Sequence, residues 1–491
     1  MGARIMNDAQ AEISFPSRLA GIAERRPDEV AITFGRQILT WKELDRESNR
    51  IAHAMINYGV GAGDLITLAL PNGLSFFTLS WGIWKCGATP QPVSTMLTSS
   101  ELKNIVDVAK SRLVITEDNF LSLGNSVSLT KLLTEAEDSS PLPDRISPSW
   151  KAPTSGGSTG LPKVIKSTIP AIYSIEVEQF FRLHESDTCL IPAPIYHNAA
   201  FVLSTRALLA GSHLVVMPKF DSEEVLRLVE DCKVSFLYVV PTMMNRIAKL
   251  PHFTERNDMS SLRTVWHMAE PCPIWLKECW IEWLGAEKIW EIYAATEGVA
   301  STRIGGLEWL DHKGSVGKVN SNQQIRAFST EGAMLGSMEI GELFLHPGHK
   351  TPVPYEYIGA TPRQVNGWHS VGDIGYVDSD DYLYLCDRRA DMIIVGGVNI
   401  YPAEIEAAIL AHPNVSSCAV IGLPCEDRGK RIHAIIQSEA SETEIKAHLQ
   451  DRLARHKTPH TIEFVNHSLR DDAGKVRRAG LIKERTDANA E

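Results

Sequence analysis

Residues 155–163 read Ser155-Gly156-Gly157-Ser158-Thr159-Gly160-Leu161-Pro162-Lys163, and the rest of the chain is best read outward from them. The glycines let the backbone turn tightly and present successive N–H groups to an anion. Ser158 and Thr159 add hydroxyl donors, and Lys163 adds a point charge suited to phosphate. A P-loop is excluded by spacing, since it needs G-x-x-x-x-G-K-[ST]; here Lys163 stands beyond Gly160, follows Pro162 and precedes Val164. Taken alone, the stretch also fits a flexible Ser/Gly surface loop.

On both sides of it, helix-like and strand-like segments alternate. Residues 44–58 carry apolar side chains at helical spacing up to Gly59, and 65–70 form a short apolar run stopped by Pro71-Asn72. Residues 75–86 read as a helix ending at Gly87, and 112–116 as a strand. Downstream, 214–217 precede a helix opening near Asp221, followed by strands over 235–240 and 262–266. A helix over 273–284 and a strand over 288–293 continue the rhythm. This alternation predicts an α/β fold of parallel or mixed sheets covered by helices. Residues 138–150, rich in Ser, Pro and acid, read as a linker or surface loop.

Near residue 387 the character changes. The charged cluster Asp387-Arg388-Arg389-Ala390-Asp391 is followed by a strand over 392–395, the turn Gly396-Gly397 and a helix over 402–410. Strands near 418–421 and 432–436, a helix over 442–453 and a last strand over 461–465 complete an α+β unit. Its size suits a separate small domain. The expected division is a large domain over 1–388 and a small C-terminal domain over 389–491.

Composition sets the class. A chain of 491 residues exceeds what one core ordinarily serves, and 44% hydrophobic with 22% charged residues excludes a disordered or fibrous protein. The balance of 49 Lys plus Arg against 60 Asp plus Glu, net -11, argues against nucleic-acid binding, which needs clustered basic charge. Eight cysteines, at 86, 189, 232, 272, 279, 386, 418 and 425, show neither CxxC pairs nor metal-ligand spacing. They read as reduced thiols of a cytoplasmic protein. The first residues lack the apolar core of a signal peptide, and no run of 18 apolar residues predicts a membrane span.

Three further motifs bear on chemistry. Tyr293-Ala294-Ala295-Thr296-Glu297-Gly298 ends a predicted strand, where open α/β sheets bind ligands. Beside a phosphate loop, Glu297 becomes a candidate Mg²⁺ ligand, because Mg²⁺ takes oxygen donors shared with substrate phosphates. Asp373, at a turn after Trp368-His369-Ser370, is a candidate acceptor for ribose hydroxyls. Gly474-Lys475-Val476-Arg477-Arg478 is a basic segment that otherwise reads as a solvated charge run.

Together these residues resemble the adenylate-forming superfamily of acyl-CoA synthetases, luciferases and peptide-synthetase adenylation domains. The resemblance runs from Leu39-Thr40-Trp41-Lys42-Glu43-Leu44 to the Gly474-Lys475 segment. The family's TSGTTGxPK loop corresponds to residues 155–163, with Gly156 in place of a Ser, and its YGxTE motif to residues 293–297. The resemblance implies that Thr296 and Glu297 serve the α-phosphate and Mg²⁺, and Asp373 and Arg388 the ribose. It implies that Tyr293-Ala294-Ala295 and Ala269-Glu270-Pro271 flank the adenine and acyl carboxylate. Lys475 would reach the carboxylate and α-phosphate, His197 in Pro194-Ile195-Tyr196-His197 would close over the carboxylate, and Gly396-Gly397 would line a pantetheine channel.

By this resemblance the chain is expected to be an acyl-CoA ligase using ATP or acyl-AMP, Mg²⁺ and coenzyme A, with a small domain that rotates between two half-reactions. Its partners would be a small carboxylic acid and CoA, without nucleic acid or membrane, and with a homodimer left open. Phe236, Tyr238, Val239, Met243, Met268 and Val299 would line an apolar acyl site. The segments Tyr196-His197-Asn198 and 272–277 look similar to those of ligases for bulky alicyclic acids of bile-acid or terpenoid type. The alternatives are a stand-alone adenylation domain loading a carrier protein and a non-catalytic acyl-adenylate binder. An amino-acid substrate is disfavoured because 196–201, YHNAAF, holds no acid. Where the family has Gly, this chain has Ala269 and Ala294; Ala390 replaces the usual Asp or Lys hinge residue, and Leu469 a usual Pro. Two added methyls at one site lead to the expectation of a weak adenylation step.

Overall fold

The computed structural model describes residues 13–117, 123–155, 163–319, 322–349, 351–425, 429–471 and 474–487. The chain falls into two compact units, one drawn from Met1–Ser155, Pro162–Asp187 and Phe201–Val216, the other from Gly156–Leu161, Thr188–Ala200 and Met217–Glu491.

The first unit holds a parallel sheet in the order Thr89–Pro92, Leu65–Ala69, Leu113–Thr116, Ser126–Ser128. Helix Trp41–Asn57 starts three residues before the apolar periodicity predicts, because Thr40 and Glu43 form a reciprocal capping box. Its buried Trp41, Leu44, Ile51, Ala52 and Met55 face inward. Helix Leu74–Lys85 is buried almost all round. Its one charged residue is Lys85, whose ammonium donates to Asp45 Oδ1 and Asn49 Oδ1, each at 2.6 Å. The expected surface loop 138–150 is only partly one. From Ser147 the chain enters the core: Ser147, Ser149 and Trp150 are buried, and the Trp150 carbonyl accepts from Trp84 Nε1 at 2.9 Å. Hydroxyl-to-backbone bonds such as Ser147 Oγ to Ser149 O, 2.7 Å, satisfy these polar residues inside. Strands Thr154–Ser155 and Lys163–Ser167 pair antiparallel with Ser155 opposite Lys163. The loop 156–162 between them lies outside the described residues.

In the second unit, strands Thr188–Ile191, Phe236–Val239, Thr264–His267 and Ile289–Ala294 lie parallel in that order. The antiparallel strands Ser301–Gly305 and Lys318–Val319 extend them. These parallel strands are almost wholly buried, as an α/β sheet requires. A second, antiparallel sheet contains Gln324–Phe328, Gly341–His346, Trp368–Val377, Arg363–Val365 and Leu383–Arg388; its register sets Asp373 opposite Arg388.

From Ile393 onward the chain has its own apolar core, including Ile393, Ile400, Ile405, Ile409, Val420, Ile436 and Leu449. Around it stand the hairpin Ile393–Val395 and Val398–Ile400, helix Pro402–Leu410, strands Val415–Cys425, Gly429–Ser438 and Thr461–Val465, and helix Glu442–Gln450. Gly396 and Gly397 turn the hairpin with φ +56° and +85°, so the turn needs glycine. All eight cysteines are free thiols. Among the described residues, no helix is long and apolar enough to cross a membrane.

Helix Leu74–Lys85 supplies a packing test. A methyl built on Gly82 would lie 2.8 Å from Ile51 Cγ2 and 3.1 Å from the Ser48 carbonyl. Helix propensity favours Ala by about 1 kcal/mol, but overpacking costs about 1–3 kcal/mol, so packing wins. Gly82→Ala should therefore lower the denaturation midpoint; a raised midpoint would contradict the close approach of helices Trp41–Asn57 and Leu74–Lys85.

Candidate active site

The second unit gathers several candidate side chains near the carboxyl end of strand Ile289–Ala294. Tyr293 is buried there, and its hydroxyl donates to Asp373 Oδ2 at 2.7 Å. Arg388, paired with Asp373 across the antiparallel ladder, brings Nε to 3.4 Å from Asp373 Oδ1 while its side chain stays 71% exposed. Burial raises the Asp373 carboxyl above its ordinary value, with Arg388 opposing. Burial and Asp373 together push the Tyr293 hydroxyl well up. The result is a carboxylate held by one buried donor and one exposed cation.

Just past the strand, Glu297 is buried and accepts a short hydrogen bond from the Tyr357 hydroxyl. Burial and Glu297 raise Tyr357 above the usual phenol value. Neighbouring Tyr355 bonds through its hydroxyl to His369 Nδ1 at 3.0 Å. Sequence reasoning misses Tyr357, because 60 residues separate it from Glu297 and no local pattern marks it.

His197 sits in a turn whose N–H bonds the Pro194 carbonyl at 3.1 Å, with its ring 4.5 Å from that of Tyr196. Its Nε2 is buried with no protein partner, an atom that calls for a ligand. Burial, then the positive charge of Lys475, lowers its pKa to about 4, so the imidazole is neutral near pH 7. Lys475 keeps solvent access; crowding and the nearby Arg388 lower its ammonium from the usual lysine value, and Asp471 opposes them. Lys475 thus lies within electrostatic reach of both His197 and Arg388, and Arg388 of Asp373. A neutral donor and two cations so linked favour an anion.

The remaining sequence candidates fall in different settings. Ala269, beyond strand Thr264–His267, has φ +77°, the left-handed region that favours Gly. An L-residue pays about 1–2 kcal/mol there. Ala294 ends its strand opposite Ser301 and is exposed, outside that region. The Glu270 side chain is turned onto Thr242 and Arg470. Gly396 and Gly397 are exposed, and a methyl built on either would meet nothing within 4 Å. Ser155 and Lys163 bracket the phosphate-loop candidate in the first unit, while Gly156, Gly157, Ser158, Thr159 and Gly160 lie outside the described residues. Beneath the strand ends, Lys277 Nζ meets Glu291 Oε2 at 2.7 Å, both buried, with His267 Nε2 3.8 Å from that oxygen. Sequence reasoning misses this trio too.

The pH dependence of His197 follows from its surroundings. Its folded pKa, about 4, lies below the ordinary 6.5, so the unfolded chain binds the proton first. The stability it contributes is full above pH 6.5 and is lost as pH falls toward 4. His197→Asn should make the decline of unfolding free energy over that range shallower by up to about one proton. An unchanged slope would show a solvated, ordinary histidine.

The model for the AMP-binding enzyme family matches residues 19–349, and that for the AMP-binding enzyme C-terminal domain matches residues 404–475. The long-chain-fatty-acid–CoA ligase FadD13 of Mycobacterium tuberculosis is 29% identical over 477 residues, covering 91% of this chain and 93% of its own. The 2-succinylbenzoate–CoA ligase of Bacillus licheniformis is 29% identical over 481 residues, covering 95% and 99%. The structure of o-succinylbenzoate CoA synthetase (MenE) from Bacillus subtilis, in complex with the acyl-adenylate intermediate OSB-AMP, shares the fold. Its TM-score is 0.81 at 23% identity, over 96% of this chain and 98% of that one. With a large N-terminal α/β domain and a small C-terminal domain, the chain belongs to the AMP-binding enzymes, in the acyl-CoA ligase branch of the adenylate-forming superfamily.

Proposed function

We propose that this protein is an AMP-forming acid–thiol ligase that converts a bulky apolar carboxylic acid to its CoA thioester. In the first step a carboxylate oxygen attacks the α-phosphorus of ATP and pyrophosphate leaves. In the second, the CoA thiol attacks the acyl carbon and AMP leaves. The observation that carries this reading is the unpartnered, neutral His197 beside the Lys475 ammonium, next to the Tyr293–Asp373–Arg388 set. Those residues fit a nucleotide monophosphate joined to a carboxylate.

Each side chain has a stated task. Lys475 neutralises the charge shared by carboxylate and α-phosphate as they approach. A neutral His197 donates its N–H without a second cation's repulsion. Asp373 accepts ribose hydroxyls, Arg388 closes over the sugar, and Thr296 serves the α-phosphate. Glu297 would hold Mg²⁺, an ion usually shared between one or two protein carboxylates and substrate phosphates, which would supply charge neutralisation at the phosphates. Among the described residues no group of three His, Cys, Asp or Glu side chains is placed to hold a metal. Ser155, Lys163 and the loop between them take the distal phosphates.

The small domain, 389–491, rotates about 388–391 between the steps. Ala390 is exposed and makes no demand that opposes this. Gly396-Gly397 then faces the adenylate as the pantetheine channel. The 50% exposed Ile394 and 48% exposed Val398 on either side of this turn support that use, since apolar residues left in solvent ask for cover. The apolar character of Tyr238, Val239, Met243 and Val299 and the acid-free 196–201 segment favour an alicyclic acid over an amino acid. The eight free thiols favour the cytoplasm.

Adenylation is the slower half of this cycle. Ala269 supports that reading, because a left-handed alanine strains the loop beside the nucleotide. A panel of cholate, abietate, cyclohexanecarboxylate, benzoate and octanoate, with ATP and CoA, tests the activity and the preference for alicyclic acids. Lys475→Ala should abolish acid-dependent pyrophosphate release yet leave thioester formation from supplied acyl-adenylate within about twofold; equal loss of both would refute the alternation. Ala269→Gly should raise adenylation about tenfold and Ala294→Gly much less. No gain from Ala269→Gly would end the idea that strain limits the step.

A further inference from the structure

Glu270 has a feature that its place beside the nucleotide loop does not explain. Its side chain is only 9% exposed, and its carboxylate accepts from Thr242 Oγ1 at 2.8 Å and from the Thr242 N–H at 3.4 Å. Its third neighbour is Arg470 Nη1, 3.4 Å away and 200 residues later in the chain. Burial pushes the Glu270 carboxyl up from its ordinary range, and Arg470 opposes that.

Arg470 serves three groups. Nη2 meets Glu406 Oε2 at 2.5 Å, and Nη1 donates to the Gly474 carbonyl at 2.9 Å as well as facing Glu270. Gly474 takes φ +77°, and a methyl built on it would fall on the Glu270 carboxylate. The same turn is closed by its own backbone. The Gly474 N–H donates to the Asp471 carbonyl at 2.9 Å, and the Asp471 N–H to the Lys475 carbonyl at 3.1 Å. The Lys475 N–H donates to Asp471 Oδ1 at 2.9 Å. Glu270, Arg470 and Gly474 therefore form a triangle around the backbone that carries Lys475.

The two carboxylates on Arg470 are not equivalent. Glu406 lies on helix Pro402–Leu410 and also takes Arg478 at 2.6 Å and the Val420 N–H at 2.8 Å, so it belongs to the C-terminal fold itself. Glu270 comes from the loop after strand Thr264–His267. With Arg246, which donates to Ser468 Oγ at 3.0 Å, it ties the segment bearing Lys475 to the preceding chain in the arrangement where Lys475 approaches His197. From this geometry we infer that Glu270 is a positioning residue for adenylation, seating the Lys475 turn through Arg470 and Gly474 rather than binding the nucleotide. The inference rests on the role proposed above for Lys475.

Glu270→Gln keeps the shape and the Thr242 bond while removing the charge that faces Arg470. In the full chain, with the panel acid that the unmodified enzyme converts fastest, adenylation kcat should fall on the order of 10- to 100-fold. KM for ATP, and thioester formation from supplied acyl-adenylate, should stay within about twofold of the unmodified enzyme's, as positioning predicts. Independently of turnover, hydrogen exchange in the ligand-free chain should quicken at the Gly474 and Lys475 amides and stay unchanged in strand Gly429–Ser438. Arg470→Lys, which keeps the charge but loses the fork, should move the same observables in the same direction and serves if Glu270→Gln does not fold. Unchanged exchange at these amides, or equal loss in both half-reactions, would overturn the proposal. Normal adenylation by Lys475→Ala would instead remove the lysine's proposed role, and the exchange data would still decide whether Glu270 holds the turn.

Discussion

Two arginines share one buried carboxylate, and the terminal segment of the protein is organised around that fact. Glu406 receives Arg470 at 2.5 Å and Arg478 at 2.6 Å, and these cations outweigh the burial that would otherwise raise its pKa, so it stays ionised. Arg478 extends the chain of charge to Asp391 at 2.9 Å, at the edge of the expected hinge. Breaking a buried pair of this kind typically costs about 3–5 kcal/mol, because it leaves an uncompensated charge. The segment bearing Lys475 is thereby made part of the α+β fold, and a side chain near the chain's end acquires a defined position.

The site itself divides its charges by burial. Its carboxylates, Asp373 and Glu297, are buried and each accepts from a tyrosine hydroxyl. Its cations, Arg388 and Lys475, keep solvent access. His197 is half-buried, with its Nε2 shielded, and neutral. Each cation faces one acid, Arg388 the Asp373 carboxylate at 3.4 Å and Lys475 the charge of Asp471, so an incoming anion competes with one partner apiece. Tyrosine hydroxyls hold both acids in place, and Asp373 also faces the Arg388 cation.

Much of this architecture is legible in the sequence, and the failures have definite causes. Helix Pro402–Leu410 and strand Thr461–Val465 read to the residue, because Pro402 opens the first and Pro459-His460 and Asn466-His467 bound the second. Helix 442–453 instead ends at Gln450; Leu453 keeps the apolar spacing, but it is buried by a turn. Residues 147–150 look like a loop because hydroxyls that bond backbone inside a core are spelled like hydroxyls in solvent. At the site, the motif residues are readable one by one. Their partners are not: Tyr357 for Glu297 and Arg470 for Glu270 are tertiary neighbours without local signature. The departure at Ala269 is visible in sequence, but its left-handed conformation, which separates it from Ala294, is not.

Activation by attack of a carboxylate oxygen on the α-phosphorus leaves an isotopic mark. The most direct measurement uses a panel acid labelled with ¹⁸O in its carboxylate, incubated with the full chain, ATP, Mg²⁺ and CoA, followed by mass analysis of the nucleotide and phosphate products. One ¹⁸O should be transferred to AMP and none to pyrophosphate. ADP with label in inorganic phosphate, the mark of an acyl phosphate, would contradict it.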